Sequence, residues 1–152
     1  MYNDGMNTTI SAPKGCTNFK TRQLGRLLSR HYDVELAKVG LKTTQYSLLT
    51  HVLRLGPIAP GELARQMGLE ASTLTRNLHP LVAEGWLLQG AGADARSRLV
   101  CITAAGRQKQ ADAQRYWKAA QQNVNAVLGL DRVLALHGLL DECMAQLQAN
   151  VT

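Results

Sequence analysis

PGELARQMGLEASTLTRNLHPLVAEGWL, running from Pro60 to Leu87, is the stretch that decides the fold. Leu63, Ala64 and Met67 recur at helical spacing, and Pro60 sits at an early-turn position that tolerates a missing N–H. Gly68 ends that helix and Leu69 fills the angle after it. A second helix is expected from Ala71 or Ser72, with Leu74, Leu78, Leu81 and Val82 on one face. Ala64 is small where two short helices must cross closely. This is the grammar of a helix-turn-helix. The second helix opens with Ser72, Thr73, Thr75, Arg76 and Asn77, all polar or small. Such side chains suit phosphates and base edges in a major groove. Pro80 interrupts the pattern after them, and a bend is expected there.

Beyond Gly85 the period changes from helical to alternating. Trp86 to Gln89 and Leu99 to Ile102 predict two strands, with GAGADARS between them as a hairpin tip. Arg96 and Arg98 lie at or beside that tip, and Asp94 stands two residues before Arg96, placed to orient its guanidinium. Cationic side chains on a narrow ribbon can enter a minor groove.

Helices are expected on both sides of this unit. Leu24, Leu27, Leu28, Tyr32, Leu36 and Val39 predict one from about Asn18 to Val39, closed by Gly40. Thr43 or Thr44 is expected to cap the next, which carries Tyr46, Leu49, Val52 and Leu53 and stops before Gly56-Pro57. Thr103 caps a long helix reaching Leu128, and Gly129 separates it from a last helix beginning at Asp131. The last helix carries Val133, Leu136, Leu140, Cys143, Met144 and Leu147 as an apolar stripe. One winged-helix unit cannot cover two such terminal stripes, which favours a dimer over packing within one chain.

Composition narrows the classes. The chain has 152 residues, 45% hydrophobic and 18% charged, and a formal charge of +6. It is long enough for one domain with a sizeable core, and its basic balance favours a polyanionic partner. No apolar run is long enough to span a bilayer, and the polar start from Met1 to Pro13 lacks the order of a secretion signal. A cytoplasmic protein with a mobile tail over residues 1–13 and a single domain over 14–152 is expected. Cys16, Cys101 and Cys143 are odd in number and far apart, which argues against a disulfide framework or a cysteine-based zinc site. The four histidines form no ligand pair, so no metal and no cofactor are expected. An enzyme would need Cys16 paired with His31. Nothing supplies an oxyanion hole or a phosphate loop, and no catalytic residues are assigned.

DARSRLVCITAAG, from Asp94 to Gly106, resembles the wing signature of the MarR family of winged-helix repressors. LKTTQYSLLTHV resembles that family's second helix, and the helix-turn-helix resembles its reading head. The resemblance covers about Cys16 to the C-terminus. It implies a mainly α, winged-helix fold of six helices with a two-to-three-stranded β-wing. The winged core would span about 43–103, and the dimerisation helices about 16–39 and 104–149. It further implies a homodimer on double-stranded DNA with a pseudo-palindromic operator, released by a small ligand or an oxidant. Arg96 corresponds to the family's minor-groove arginine, and Ser72 to Asn77 to its base-reading helix.

The resemblance also suggests where a signal would act. Effectors in the family bind between the dimer helices and the reading head, where Tyr32, Tyr46, His51, Arg54 and Trp117 are candidate lining residues. The first helix is basic, with Lys14, Lys20, Arg22, Arg26 and Arg30, so an aromatic carboxylate or an acyl-CoA thioester is the favoured class. In a hydroperoxide-sensing branch a cysteine near the position of Cys16 reacts, supported by tyrosines. Tyr32 stands where one of these would be, but the one four residues beyond the cysteine is here Lys20. Oxidant sensing through Cys16 is therefore the alternative signal. A winged helix kept as an interaction module without DNA is the alternative function.

Overall fold

A computed structural model describes residues 11–90 and 98–151. The expectation of a mobile tail falls, for residues 1–10, outside the described residues. Six α-helices and two strands are present among them, in the order α1 (Thr17–Leu36), α2 (Thr43–Leu55), α3 (Pro60–Met67), α4 (Ala71–Ala83), β1 (Leu87–Gln89), β2 (Val100–Ile102), α5 (Ala104–Leu128) and α6 (Leu130–Ala149). A short 3-10 turn, Ala37–Val39, tightens the end of α1. The expected fold class is the observed one.

The core lies where the helix-turn-helix meets α2 and the strands. Leu48, Leu49 and Val52 of α2, Leu63 of α3, Leu74 and Leu81 of α4, Leu87 of β1 and Val100 of β2 are almost wholly excluded from solvent. Burying one such side chain contributes about 1.5–3 kcal/mol, so this cluster fixes α4 in its place. Gly68 turns the chain between α3 and α4 with φ 64°, and the Leu69 N–H reaches back to the Ala64 carbonyl at 2.9 Å. A left-handed residue closing a helix in this way favours glycine.

β1 and β2 pair antiparallel, with Leu87 opposite Ile102 and Gln89 opposite Val100. Ile58 adds a one-residue third strand. Its N–H donates to the Val100 carbonyl at 3.1 Å, and the Val100 N–H donates back at 2.8 Å. The wing is thereby tied to the α2–α3 connection. Thr103 caps α5 as expected: its Oγ1 accepts from the Gly106 N–H at 3.0 Å and donates to the Gly85 carbonyl at 2.6 Å.

Three details differ from the sequence expectation. Lys42, not Thr43 or Thr44, precedes α2, because the Lys42 N–H is taken by Gln45 Oε1 at 2.9 Å and the Thr43 N–H by Asp33 Oδ1 at 2.7 Å. The capping acceptors thus come from the first turn itself and from α1, which no local pattern announces. Val82 is 36% exposed, since α4 turns its buried face through Leu78 and Leu81 instead. Cys143 is exposed on α6, where of the expected stripe only Val133 is buried within the chain. Pro80 lies inside α4, which runs without interruption to Ala83.

Candidate nucleic-acid interface and ligand cavity

α4 is anchored on one side and open on the other. Leu74, Leu78 and Leu81 are buried, while Ser72, Thr75 and Arg76 are exposed and Thr73 and Asn77 are half-buried. Heptad-like spacing therefore segregates a fixed apolar edge from a polar one. The Thr75 hydroxyl donates to the Ala71 carbonyl at 3.0 Å, and the residue is exposed. The first turns of α4 thus present hydroxyl, amide and guanidinium groups together.

Arg98 is exposed two residues before β2. Asp94 and Arg96 lie outside the described residues. β1 follows the end of α4 and pairs with β2.

A feature absent from the sequence reading lies between α2 and α4. A cleft of about 130 Å³ is lined by Lys42, Thr44 and Gln45 from the start of α2, and by Arg76, Asn77 and Pro80 from α4. The only sequence signal for it was Lys42 and Arg76 as separate basic residues. Their approach depends on tertiary packing of the two helices.

On the other side of α2 lies a larger cavity of about 630 Å³, between α1, α2 and α5. All five residues expected around a ligand line it: Tyr32, Tyr46, His51, Arg54 and Trp117. Tyr46 and Trp117 stack with ring centroids 6.1 Å apart and planes inclined by 22°, an arrangement that favours aromatic contacts. The Tyr32 hydroxyl donates to Gln121 Oε1, and burial holds the phenol above its ordinary pKa, so it remains a neutral donor. His51 Nδ1 lies 2.7 Å from the Ser47 carbonyl. A carbonyl only accepts, so Nδ1 carries the proton and the other ring nitrogen is left for a partner. Thr43 also lines the cavity, and its Oγ1 is buried with no hydrogen-bond partner. A buried hydroxyl in that state invites one.

Cys16 is exposed at the residue preceding α1 and does not line this cavity. His31 lies fifteen positions further along the same helix, roughly 22 Å away at about 1.5 Å per residue. A Cys16–His31 pair within one chain is thereby ruled out. Cys101 is half-buried in β2. Among the described residues no group of three or more His, Cys, Asp or Glu could hold a metal ion. No described helix is long and apolar enough to cross a membrane.

The MarR family model matches residues 39–97, from the end of α1 into the wing. An uncharacterized HTH-type transcriptional regulator of Bacillus subtilis (strain 168), YwoH, is 31% identical over 87 residues. That match takes in 57% of this chain and 64% of the length of that relative. Among solved structures, the M. tuberculosis transcriptional regulator MosR in complex with DNA is 34% identical, with a TM-score of 0.69 over 86% of this chain and 98% of that one. A mutant MarR from E. coli complexed with operator DNA shares the fold at 23% identity, with a TM-score of 0.73 over 83% of this chain and 91% of that one. The order of helices and wing strands, the spacing of the helix-turn-helix and these likenesses agree: the chain belongs to the MarR family of winged-helix transcriptional regulators, which are not enzymes.

Proposed function

We propose that the protein is a homodimeric, DNA-binding repressor that releases its operator when a small aromatic anion enters the cavity between α1, α2 and α5. The observation that carries the DNA-binding part is α4 itself. Its polar edge from Ser72 to Asn77 faces solvent while Leu74, Leu78 and Leu81 hold the opposite edge rigidly in the core. A helix held this way can enter a major groove without losing order. Asp94, Arg96 and Arg98 supply the second contact, in the adjacent minor groove. The likeness to MosR, whose structure was solved with DNA, supports the same partner. A cytoplasmic location follows from that partner.

The dimer is supported by apolar side chains that a single chain leaves open. Leu134, Leu140, Met144 and Leu147 on α6 and Phe19 and Leu27 on α1 are all exposed. A two-fold dimer would cover them and present two α4 helices to a pseudo-palindromic site.

The effector is supported by the cavity. It joins a stacked aromatic pair, a histidine nitrogen, the Arg54 guanidinium and the unpartnered Thr43 hydroxyl. An aromatic carboxylate such as a phenolic acid fits those groups: its ring against Trp117 and Tyr46, its charge toward Arg54. Because the cavity touches both the arms (α1, α5) and the head (α2), its filling is coupled to the placement of α4. An oxidant signal through Cys16 has less support, as no residue of the cavity reaches it.

Duplexes selected from a random pool by the full chain provide the test. Replacing Arg96 with Ala should weaken binding to them by about 1–3 kcal/mol, or roughly 5- to 150-fold. Equal affinities for both proteins in a gel-shift titration would take the wing out of the mechanism.

A further inference from the structure

We propose that the cleft between the start of α2 and the middle of α4 seats one phosphate of the DNA backbone, held jointly by Lys42, Gln45 and Arg76. This rests on the DNA-binding reading above and adds a contact from α2, an element outside both the helix-turn-helix and the wing.

Charge comes first. The cleft is lined by two cationic residues, Lys42 and Arg76, and by no carboxylate. The described ion pairs join Lys38 to Glu35 and Arg65 to Glu62, so neither cation of the cleft is neutralised by them. Two cations converging on one small space repel each other until an anion separates them.

Donor chemistry follows. Gln45 Oε1 already accepts from the Lys42 N–H at 2.9 Å. Its amide nitrogen is thereby left as the outward group and can only donate. With the Lys42 ammonium, the Thr44 hydroxyl, the Asn77 amide and the Arg76 guanidinium, the lining offers an excess of donors. That set matches an oxygen-rich anion and not a base edge, which mixes donors with acceptors.

Size and shape agree. About 130 Å³ is the room of a few water molecules, which admits a phosphate and excludes a stacked base. Pro80 closes one wall and, having no N–H, adds no donor of its own. The unexpected proline thus faces the cleft.

Position selects the source of the phosphate. Arg76 and Asn77 continue, one turn on, the exposed edge that begins at Ser72 and Thr73. A groove occupied by that edge brings the flanking sugar–phosphate strand against the start of α2. Contacts of this kind fix register and carry no sequence information. The structure therefore divides the reading helix: Ser72, Thr73 and Thr75 face bases, whereas Arg76 turns toward the backbone.

The test compares wild type, Lys42→Ala, Arg76→Ala and the double variant on one selected duplex across a salt series. Each single substitution should reduce the slope of log Kobs against log[salt] by about 0.9, the value for one phosphate. The double variant should lose the same amount and not twice it, because both side chains serve one phosphate. Affinity should fall equally on matched and mismatched duplexes. In a scan with neutral methylphosphonates, one position should weaken the wild type and leave Lys42→Ala unaffected. Lys42 and Arg76 are both exposed, and unchanged thermal melting confirms intact folding.

An unchanged slope for Lys42→Ala overturns the proposal, as does an additive loss in the double variant. Loss of discrimination at a single base pair in Arg76→Ala would make that residue a base reader and overturn it too. Inorganic phosphate that stabilises the free protein in a Lys42-dependent way, without the slope effect, would assign the cleft to a free anion instead. Wild-type protein that binds no duplex would refute the parent reading, a result distinct from all of these.

Discussion

At Gly106 a single added carbon would stand 2.0 Å from the Trp86 carbonyl oxygen and 2.8 Å from the Ile102 side chain. The first turn of α5 therefore rests directly on the backbone that leads from α4 into β1. Thr103 completes the joint by bonding Gly85 and Trp86 across it. Gly106→Ala should destabilise the protein by at least about 2 kcal/mol, since backbone and not a flexible side-chain end must move. Chemical denaturation measures this, and a variant as stable as wild type would show that α5 is not seated as described. The Thr103 and Gly106 spacing was legible in the sequence, because capping is local chemistry. The unpartnered hydroxyl of Thr43 was not. Its backbone N–H, by contrast, is bonded to Asp33 on another helix, a contact between helices that no local pattern announces.

Among the elements, α2 touches the most functions. One face carries Leu48, Leu49 and Val52 into the core, another carries Tyr46, His51 and Arg54 into the cavity between α1, α2 and α5, and its start meets α4. Its helical period is readable from Leu49 and Val52, and Tyr46, His51 and Arg54 stand out in it as aromatic and basic positions, but their meeting with Trp117 is not legible there. The meeting itself depends on how α5 crosses it, which a linear pattern does not encode. An aromatic carboxylate bound there should raise the melting temperature, with stabilisation near 2.7 kcal/mol when its concentration is about a hundred times Kd. Arg54→Ala should abolish most of that shift for the carboxylate while sparing the neutral amide analogue. Identical shifts for both compounds in both proteins would remove Arg54 from recognition.

α4 offers a second test at this scale. Pro80 deprives the Arg76 carbonyl of its helical partner, yet the helix continues to Ala83. Core contacts at Leu78 and Leu81 outweigh that defect, whose intrinsic size relative to Ala is about 3 kcal/mol. Pro80→Ala should therefore stabilise the fold by about 1–3 kcal/mol in denaturant titration. Destabilisation would mean that the proline ring contributes packing that the helix geometry does not reveal. The hydrophobic edge on either side of the proline, at Leu78 and Leu81, was the readable signal that the helix continues past it.

For the molecule as a whole, the described part of the head closes its core within one chain, whereas α6 leaves most of its apolar stripe exposed. Leu49, Leu63, Leu81 and Val100 are closed off from water, but Leu134, Met144 and Leu147 are not. The sequence showed both sets as equally regular stripes. Only the fold shows which stripe finds a partner internally. Light scattering should give a dimer, and Leu134→Glu combined with Leu140→Glu should yield monomers or greatly weakened dimers with reduced DNA affinity. A stable wild-type monomer would confine the apolar face of α6 to some other role.

All of these features serve one claim, that the head grips DNA through α4 and the wing. Fluorescence anisotropy of the full chain with a selected duplex, repeated from about 50 to 200 mM salt, tests it most directly. With six or more phosphates engaged, affinity should fall roughly a thousandfold or more across that range while matched duplexes stay ahead of scrambled ones. Binding that is absent at the lowest salt, or indifferent to salt and sequence, would contradict the account.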